Sequence, residues 1–293
     1  MTVLVSNNFG QIHQEKLDNY LSTLTIKHQQ CNAKISLYGG QVLSWQPSKH
    51  QDVFWLSKSA IFEPGKAIRG GIPLCWPWFG THPDDVENIA GNHGFARENI
   101  WQVERLTITE NNVEVVLSFQ GECMHDLWPN AFKLRQVLTF GKRFSQVLMI
   151  SNLSDENAYF SAALHSYFAI SAPESIFLDT LNDTPFDDKL TGEFCQDQLL
   201  ANGVGPVDRV YHANKVISLI DNKWQRTIEV EASNTKQWVV WNPGVQIANN
   251  LADIHKNGEQ EFLCLEAANT KMQRLSGGES YTISQQVSLT SNE

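Results

Sequence analysis

Residues 69–80 (RGGIPLCWPWFG) constrain the fold most, because their composition suits neither a helix nor a central strand. Arg69 precedes two glycines, and Pro73 and Pro77 bracket large apolar side chains. Glycine permits a positive φ or a close approach to a ligand, whereas proline lacks the N–H that a central ladder needs. The segment therefore predicts an ordered, aromatic-rich loop with a cation at its entrance. Such a loop suits either a polar ring carrying an anionic group or a packed corner of a β-fold with Arg69 in a surface ion pair.

Most of the remaining chain alternates apolar and polar residues with a period of two, which is typical of strands. The stretches that show this pattern are residues 23–28, 33–37, 42–46, 52–56, 100–108, 113–120, 133–140, 144–150, 159–170, 175–178, 216–220, 227–231, 237–241, 262–266 and 281–289. Polar or glycine-containing turns separate them. Many short strands at close spacing predict an all-β sandwich or barrel.

Two regions depart from this pattern. Residues 1–22 are polar, and we interpret them as an N-terminal lead-in with a weakly helical stretch at residues 14–21. Residues 182–208 form a long polar insertion, and loops of this length in a compact domain are usually functional or flexible. Because no linker or internal repeat marks a boundary, we expect a single domain over residues 1–293.

The composition argues against several classes of function. The 293 residues are 42% hydrophobic and 18% charged with a net charge of −10, so the chain is globular but a poor general binder of nucleic acid. No apolar run approaches the roughly 20 residues of a membrane span, and residues 1–10 show no signal peptide. The five cysteines are scattered without a CxxC pair, as in proteins of a reducing cytosol. We therefore expect a cytoplasmic protein that binds neither nucleic acid nor membrane.

Two ionisable residues lie in apolar surroundings. His165 interrupts the stretch 159–170, and Glu266 ends the stretch 262–266. A buried histidine is more often structural than catalytic, but an imidazole also titrates near neutral pH and can serve as a general acid. Burial would raise the pKa of Glu266 and make it a better base near pH 7. The alternative for Glu266 is a carboxylate paired with an arginine.

Residues 92–97 (NHGFAR) supply a second histidine and a second arginine. Together, Arg69 and Arg97 could clamp a phosphate or carboxylate through charge-assisted hydrogen bonds. The alternative is a turn in which Arg97 pairs with Glu98 or Glu104.

The other polar residues give weaker signals. Asp208 could accept hydrogen bonds from sugar hydroxyls or could equally be a turn aspartate. The nine histidines are dispersed without HxH or HExxH spacing, which argues against a metal site. There is no GxGxxG motif, Walker loop or GxSxG elbow. The sequence therefore predicts neither a metal nor a cofactor.

Seven segments together resemble the hexose-6-phosphate mutarotase (glucose-6-phosphate 1-epimerase) family, a branch of the aldose 1-epimerase superfamily. They are residues 39–45 (GGQVLSW), 67–80 (AIRGGIPLCWPWFG), 93–97 (HGFAR), 164–168 (LHSYF), 208–211 (DRVY), 241–244 (WNPG) and 264–267 (CLEA). Their order and spacing are similar to the family's over residues 23–289. The chain departs from the family at Asn92, where relatives often have glutamine, and at Gly244, where other members have tryptophan. Residues 245–258 match poorly and are assigned no role.

The resemblance implies a large antiparallel β-sandwich of the galactose mutarotase-like (supersandwich) type. It implies an isomerase that interconverts the α and β anomers of hexose 6-phosphates, with D-glucose 6-phosphate as the expected substrate and a monomer as the expected state. It assigns His165 as the general acid that protonates the ring oxygen and Glu266 as the general base that deprotonates the C1 hydroxyl. The residues that it places at the substrate are Arg69, Asn92, His93, Arg97 and Asp208.

Three alternatives compete with this interpretation. A non-catalytic sugar-phosphate sensor would need the arginines but not both His165 and Glu266. An epimerase of unphosphorylated aldoses would need His165 and Glu266 but not two arginines. A β-sandwich interaction module would explain neither His165 nor Glu266.

Overall fold

The structure is a computed structural model that describes residues 1–17, 21–196 and 198–291. Its strands, in chain order, are β1 (Thr2–Asn7), β2 (Gly10–Lys16), β3 (Ser22–His28), β4 (Cys31–Ser36), β5 (Gln41–Pro47), β6 (Leu74–Cys75), β7 (Gln102–Ile108), β8 (Asn112–Gly121), β9 (Phe132–Gly141), β10 (Phe144–Asn152), β11 (Ala158–Leu164), β12 (Tyr167–Ala169), β13 (Ile176–Phe177), β14 (Phe186–Asp188), β15 (Phe194–Cys195), β16 (Val207–Tyr211), β17 (Ile217–Asp221), β18 (Arg226–Ser233), β19 (Gln237–Asn242), β20 (Phe262–Leu275) and β21 (Ser280–Ser291). The helical elements are α1 (Gly244–Ala248) and the 3-10 turns Ala96–Glu98, Pro173–Ser175, Asp179–Leu181 and Gly258–Gln260.

These strands form three antiparallel sheets. Sheet 1 takes β1 to β5 in chain order, as expected for a series of hairpins. Sheet 2 has the order β13-β17-β18-β21-β10-β9-β8-β7. Sheet 3 has the order β15-β14-β16-β19-β20-β11-β6, with β12 also paired to β20. The structure confirms the predicted all-β class.

One hydrophobic core joins the three sheets. It contains Trp45 from sheet 1, Leu148 from sheet 2 and Leu265 from sheet 3, all fully buried. Burial of a large apolar side chain of this kind contributes about 1.5–3 kcal/mol. Because side chains alternate along a strand, the residues on either side of Leu265 in sheet 3 face away from this core. That opposite face of sheet 3 carries the candidate site.

Four predicted elements differ from the structure. Residues 182–208, predicted as a long polar insertion, contain β14, β15 and the start of β16, all in sheet 3. Residues 14–16, predicted as part of a helix, belong to β2. The hairpins of β2 with β1 and β3 outweigh a weak helical propensity. Residues 18–20 of the same prediction lie outside the described part of the chain. Residues 52–56 form no named strand and pair only through single bridges at Phe54 and Leu56. The stretch 159–170 divides into β11 and β12, and the break falls at residues 165–166.

Residues 69–80 form the predicted ordered loop around the short β6, and their tryptophans follow the packed-corner alternative. Trp76 and Trp78 are almost fully buried in the main core, where Trp76 packs edge-on against Trp128 with 4.6 Å between ring centroids. Gly71 has φ +62°, and a Cβ there would lie 2.0 Å from the carbonyl oxygen of Val42. Glycine is required at this close approach.

Two further sequence predictions concern cysteines and membranes. All five cysteines are free, and Cys31, Cys75 and Cys264 are buried. Among the residues that the structure describes, none of the helices has the length and apolar character needed to cross a membrane.

Candidate active site

The candidate site lies on the face of sheet 3 that points away from the main core. On β20 this face carries Cys264 and Glu266. Residues directly opposite in an antiparallel pair share a face, and Cys264 lies opposite both Tyr167 on β12 and Trp241 on β19. In turn, Trp241 lies opposite Asp208 on β16. The register therefore brings Glu266 and Asp208, predicted from distant segments, onto one surface.

Glu266 lies within β20, not at its end as the sequence suggested, because β20 continues to Leu275. Its side chain is buried, with 1% of the residue exposed, and its Oε2 atom finds no hydrogen-bond partner in the described part of the chain. Burial, and then the nearby charge of Asp208, raise the pKa of Glu266 well above its ordinary value, and Arg97 only partly opposes this. The carboxyl group is thus suited to hold a proton near neutral pH.

His165 occupies the break between β11 and β12. Its backbone N–H donates to the carbonyl of Pro73 at 3.1 Å. Its ring stacks on that of Tyr167 with 4.8 Å between centroids and 6° between planes. Nδ1 of His165 lies 3.3 Å from Oε1 of Glu266, but without the geometry of a hydrogen bond, since it has no such partner among the described residues. The imidazole and the carboxyl group are therefore adjacent, and each keeps an unpaired buried atom.

Positive and desolvating surroundings keep His165 neutral. Burial, and then His93, Arg97 and Arg69, lower its pKa well below the ordinary value. The opposite shifts of the two pKa values favour one titratable proton shared by Glu266 and His165, held mainly by the carboxyl group.

His93 lies beside this pair with a fixed tautomer. Its φ of +70° is unusual for a residue other than glycine. The backbone N–H of Gly80 donates to Nδ1 of His93 at 3.2 Å. Burial, and then Arg97 and Arg69, lower the pKa of His93 to about 3, so the neutral ring carries its proton on Nε2. Its ring meets that of His165 edge-on at 5.7 Å, which supplies a hydrogen-bond donor next to the acid/base pair.

Arg69 is held by two partners from the same site. Its Nε donates to Oδ2 of Asp253 at 3.0 Å, and its Nη1 donates to the hydroxyl of Tyr167 at 2.9 Å. Burial disfavours the charge of Arg69, but Tyr167 and Asp253 outweigh burial and raise its pKa. The predicted alternative of an ion pair for Arg69 is therefore correct, although the pair is largely buried and not at the surface.

Sequence reasoning missed Asp253, because it belongs to the segment 245–258, to which no role was assigned. It also missed Tyr167 and Trp241, which read as ordinary apolar strand residues. An isolated aspartate in a polar loop and two aromatic residues in strands carry no distinguishing pattern.

Arg97 is less fully paired than Arg69. Its Nη2 donates to the backbone carbonyl of Asn92 at 2.7 Å, while Glu98 lies 3.8 Å from its Nε. That Nε is buried and has no hydrogen-bond partner within the described ranges. The side chain of Asn92 is exposed and accepts a hydrogen bond from the hydroxyl of Thr81 at 2.9 Å. Asn92 therefore contributes its backbone to the site, and a contact of its side chain with substrate stays a prediction.

Asp208 is half-buried at the edge of the site. Burial raises its pKa to about 6, and the charge of Lys189 opposes this shift while Asp188 adds to it. A carboxyl group with this pKa is mainly ionised at neutral pH, so it can accept hydrogen bonds from sugar hydroxyls.

A metal is a poor match for the donors present. His165, Cys264 and Glu266 offer ligand atoms that lie within 4.8 Å of one another. However, burial raises the pKa of the Cys264 thiol as well as that of Glu266, so two of the three donors are protonated. A metal ion would have to displace both protons to bind here, which disfavours this trio as a metal site.

Comparisons with known proteins show the family and the fold of the chain. Residues 22–288 match the family described as "Aldose 1-epimerase". A relative from Salmonella typhimurium, named "Putative glucose-6-phosphate 1-epimerase", is 31% identical over 263 residues, which are 87% of this chain and 85% of the relative. The crystal structure of "a putative mutarotase" from Salmonella typhimurium has a TM-score of 0.88 and 27% identity, and covers 100% of this chain and 97% of its own. A "galactose mutarotase-like protein" from Clostridium acetobutylicum, 16% identical, has a TM-score of 0.74 and covers 97% of this chain and 100% of its own.

The three sheets thus form a galactose mutarotase-like β-sandwich with a buried histidine–carboxyl pair on one sheet face. The chain belongs to the aldose 1-epimerase family. This confirms the family that the seven sequence segments indicated, and with it a small-molecule sugar as the class of substrate.

Proposed function

We propose that the protein interconverts the α and β anomers of hexose 6-phosphates, with D-glucose 6-phosphate as its substrate. The observation that carries the proposal is the contact of His165 with Glu266 at 3.3 Å in a buried site, where opposite pKa shifts leave one proton on the pair. Mutarotation needs one acid and one base on the same C1–O5 unit, so a pair with one proton has the required stoichiometry.

In the proposed reaction, Glu266 takes the proton of the C1 hydroxyl while His165 protonates the ring oxygen. The C1–O5 bond breaks and the open-chain aldehyde forms. Rotation about C1–C2 presents the other carbonyl face, and ring closure reverses both proton transfers. The starting form, with a carboxylate and an imidazolium, has the same proton count as a neutral carboxyl group beside a neutral imidazole. One proton transfer within the pair converts one form into the other.

Arg97 and Arg69 are proposed to bind the 6-phosphate. Support comes from the unpaired Nε of Arg97 and from the three N–H groups of Arg69 that Asp253 and Tyr167 leave free, out of five. The name of the Salmonella typhimurium relative, which includes glucose 6-phosphate, points to the same substrate. Binding the distant phosphate would orient the reacting ring.

The remaining substrate contacts are proposed for His93, Asp208 and Asn92. His93 would donate from Nε2, and Asp208 would bind sugar hydroxyls. The reaction, as proposed, uses only these side chains, in a cytoplasmic monomer. Five free cysteines and a phosphorylated sugar as substrate are consistent with a reducing cytoplasm.

A second candidate function is the epimerisation of unphosphorylated aldoses. The observation in its favour is the pairing of Arg69 with Asp253, which already offsets one of the two positive charges.

The test is the rate of α/β exchange of glucose 6-phosphate and of free glucose, measured by selective-inversion NMR with a catalytic amount of protein. We expect acceleration of the phosphate ester to exceed that of free glucose, and Arg97→Ala to remove most of the difference. Exchange of free glucose that equals or exceeds that of the ester would favour the second candidate. Exchange of both at the background rate would reject an epimerase.

A further inference from the structure

The two arginines of the site differ in how far their charge is already compensated. The carboxylate of Asp253 lies 3.0 Å from Nε of Arg69 and offsets its positive charge. The two side chains are 24% and 19% exposed for Arg69 and Asp253, respectively. The nearest carboxylate to Arg97 for which an ion pair is described is that of Glu98, at 3.8 Å. An incoming dianion therefore meets one arginine with a carboxylate at hydrogen-bond distance and one whose neighbouring carboxylate is farther away, so the charge of Arg97 is less compensated than that of Arg69.

The loop that carries Asp253 is held by contacts with neighbouring segments, and these contacts fix Asp253 beside Arg69. Two residues further on, His255 stacks on Trp55 with 5.8 Å between ring centroids. The backbone N–H of Lys58 donates to Nδ1 of His255 at 3.2 Å, and Nε2 of His255 lies 3.0 Å from Oε2 of Glu261. These contacts fix the loop that carries Asp253 against residues 55–58.

The same residues hold the backbone around Arg69. The N–H of Ser57 donates to the carbonyl of Arg69 at 3.1 Å, and the N–H of Gly71 donates to the carbonyl of Trp55 at 2.6 Å. Asp253 and Arg69 are therefore fixed on a common support and cannot separate without breaking these contacts.

We propose that Asp253 is a specificity-determining residue, which offsets the charge of Arg69 and so limits the affinity of the site for the phosphate group alone. This inference rests on the proposed function. If both arginines were uncompensated, inorganic phosphate would bind with nearly all the charge–charge energy available to a sugar phosphate. With Arg69 compensated, binding depends more on contacts with the sugar ring. The same carboxylate keeps the guanidinium directed at Tyr167, next to His165.

Asp253→Asn separates the charge from the hydrogen bond, because the amide oxygen still accepts from Nε of Arg69 while the negative charge is lost. Calorimetry of the full chain with inorganic phosphate should show about tenfold tighter binding to this variant, since removing a unit charge close to the anion in a partly solvated site has an effect of this order. The KM of this variant for glucose 6-phosphate should also be lower than that of wild type. The matched control is Asp155→Asn, an exposed turn residue between β10 and β11, which changes net charge equally and should leave phosphate affinity unchanged.

Equal or weaker binding of phosphate to Asp253→Asn, including no measurable binding to either protein, would overturn the role of Asp253. Thermal unfolding of both variants checks that the fold is retained, and if Asp253→Asn is unstable, Asp253→Ser provides a second neutral acceptor. Failure of the proposed function is a separate result. It would appear as wild-type protein that leaves the anomer exchange of glucose 6-phosphate at the background rate.

Discussion

The ring of His165 lies flat on the ring of Tyr167, with 6° between their planes, and the hydroxyl of Tyr167 accepts a hydrogen bond from Arg69 at 2.9 Å. The buried Tyr167 thus contacts both the proposed general acid, His165, and Arg69, which is proposed to bind the phosphate group. The arginine proposed to bind phosphate and the proposed acid/base pair are therefore parts of one packed unit.

Tyr167→Phe should separate these two contacts. The substitution keeps the stacking on His165 but removes the hydrogen-bond acceptor that positions Arg69. A hydrogen bond to a charged group contributes about 1.5–3 kcal/mol to the stability of the folded arrangement. We expect the KM for glucose 6-phosphate to rise about tenfold, with kcat changed by less than about threefold. Tyr159→Phe, on an exposed strand position, is the control. A loss confined to kcat would show that the hydroxyl acts on His165 and not on Arg69.

The pH dependence of kcat should be bell-shaped. The pKa of His165 is lowered, so the pair gains a second proton only at a pH well below the ordinary histidine value of 6.5. The pKa of Glu266 is raised, so the pair keeps its single proton to a pH well above the ordinary carboxyl value of 4.5. Activity should therefore be retained around neutral pH and fall on either side. Exchange rates at saturating substrate, with the fold monitored by circular dichroism, provide the measurement. A single acid limb near pH 4.5 with no loss at high pH would contradict the shared proton.

Gly71→Ala should destabilise the fold strongly. A left-handed backbone costs a non-glycine residue about 1–2 kcal/mol, and the new Cβ would also lie 2.0 Å from the carbonyl oxygen of Val42. Gly65→Ala is the matched control, because Gly65 has φ +77° but open space around it. Urea unfolding should show a loss of about 1 kcal/mol for Gly65→Ala and a clearly larger loss for Gly71→Ala. Equal losses would mean that the loop relaxes around the added methyl group.

Much of the fold follows from the sequence, because period-two alternation is a direct consequence of strands with one face in the core. The stretches 113–120 and 144–150 lie within β8 and β10 for this reason. The helix predicted over residues 14–16 is wrong because β2 is a mainly polar strand, and its pairing with β1 and β3 is not visible in its own composition.

The candidate site could be predicted only in part. His165 and Glu266 were identified because an ionisable group in an apolar strand is costly unless it has a task. Asp253 could not be found, since its importance comes from a contact with a residue 184 positions away. Of the two alternatives for the loop of Trp76 and Trp78, a ligand-facing surface or a packed corner, the structure shows the packed corner for both rings. Composition alone does not show on which side of a loop an aromatic ring packs.

The most direct test of the acid/base assignment is the rate of α/β exchange of glucose 6-phosphate, measured by exchange NMR for wild type, Glu266→Gln and His165→Asn. We expect wild type to accelerate exchange and each variant to lose on the order of 10²–10⁴ of that acceleration, while thermal unfolding shows that both stay folded. Wild-type rates in either folded variant would contradict the assignment of His165 and Glu266 as the acid/base pair.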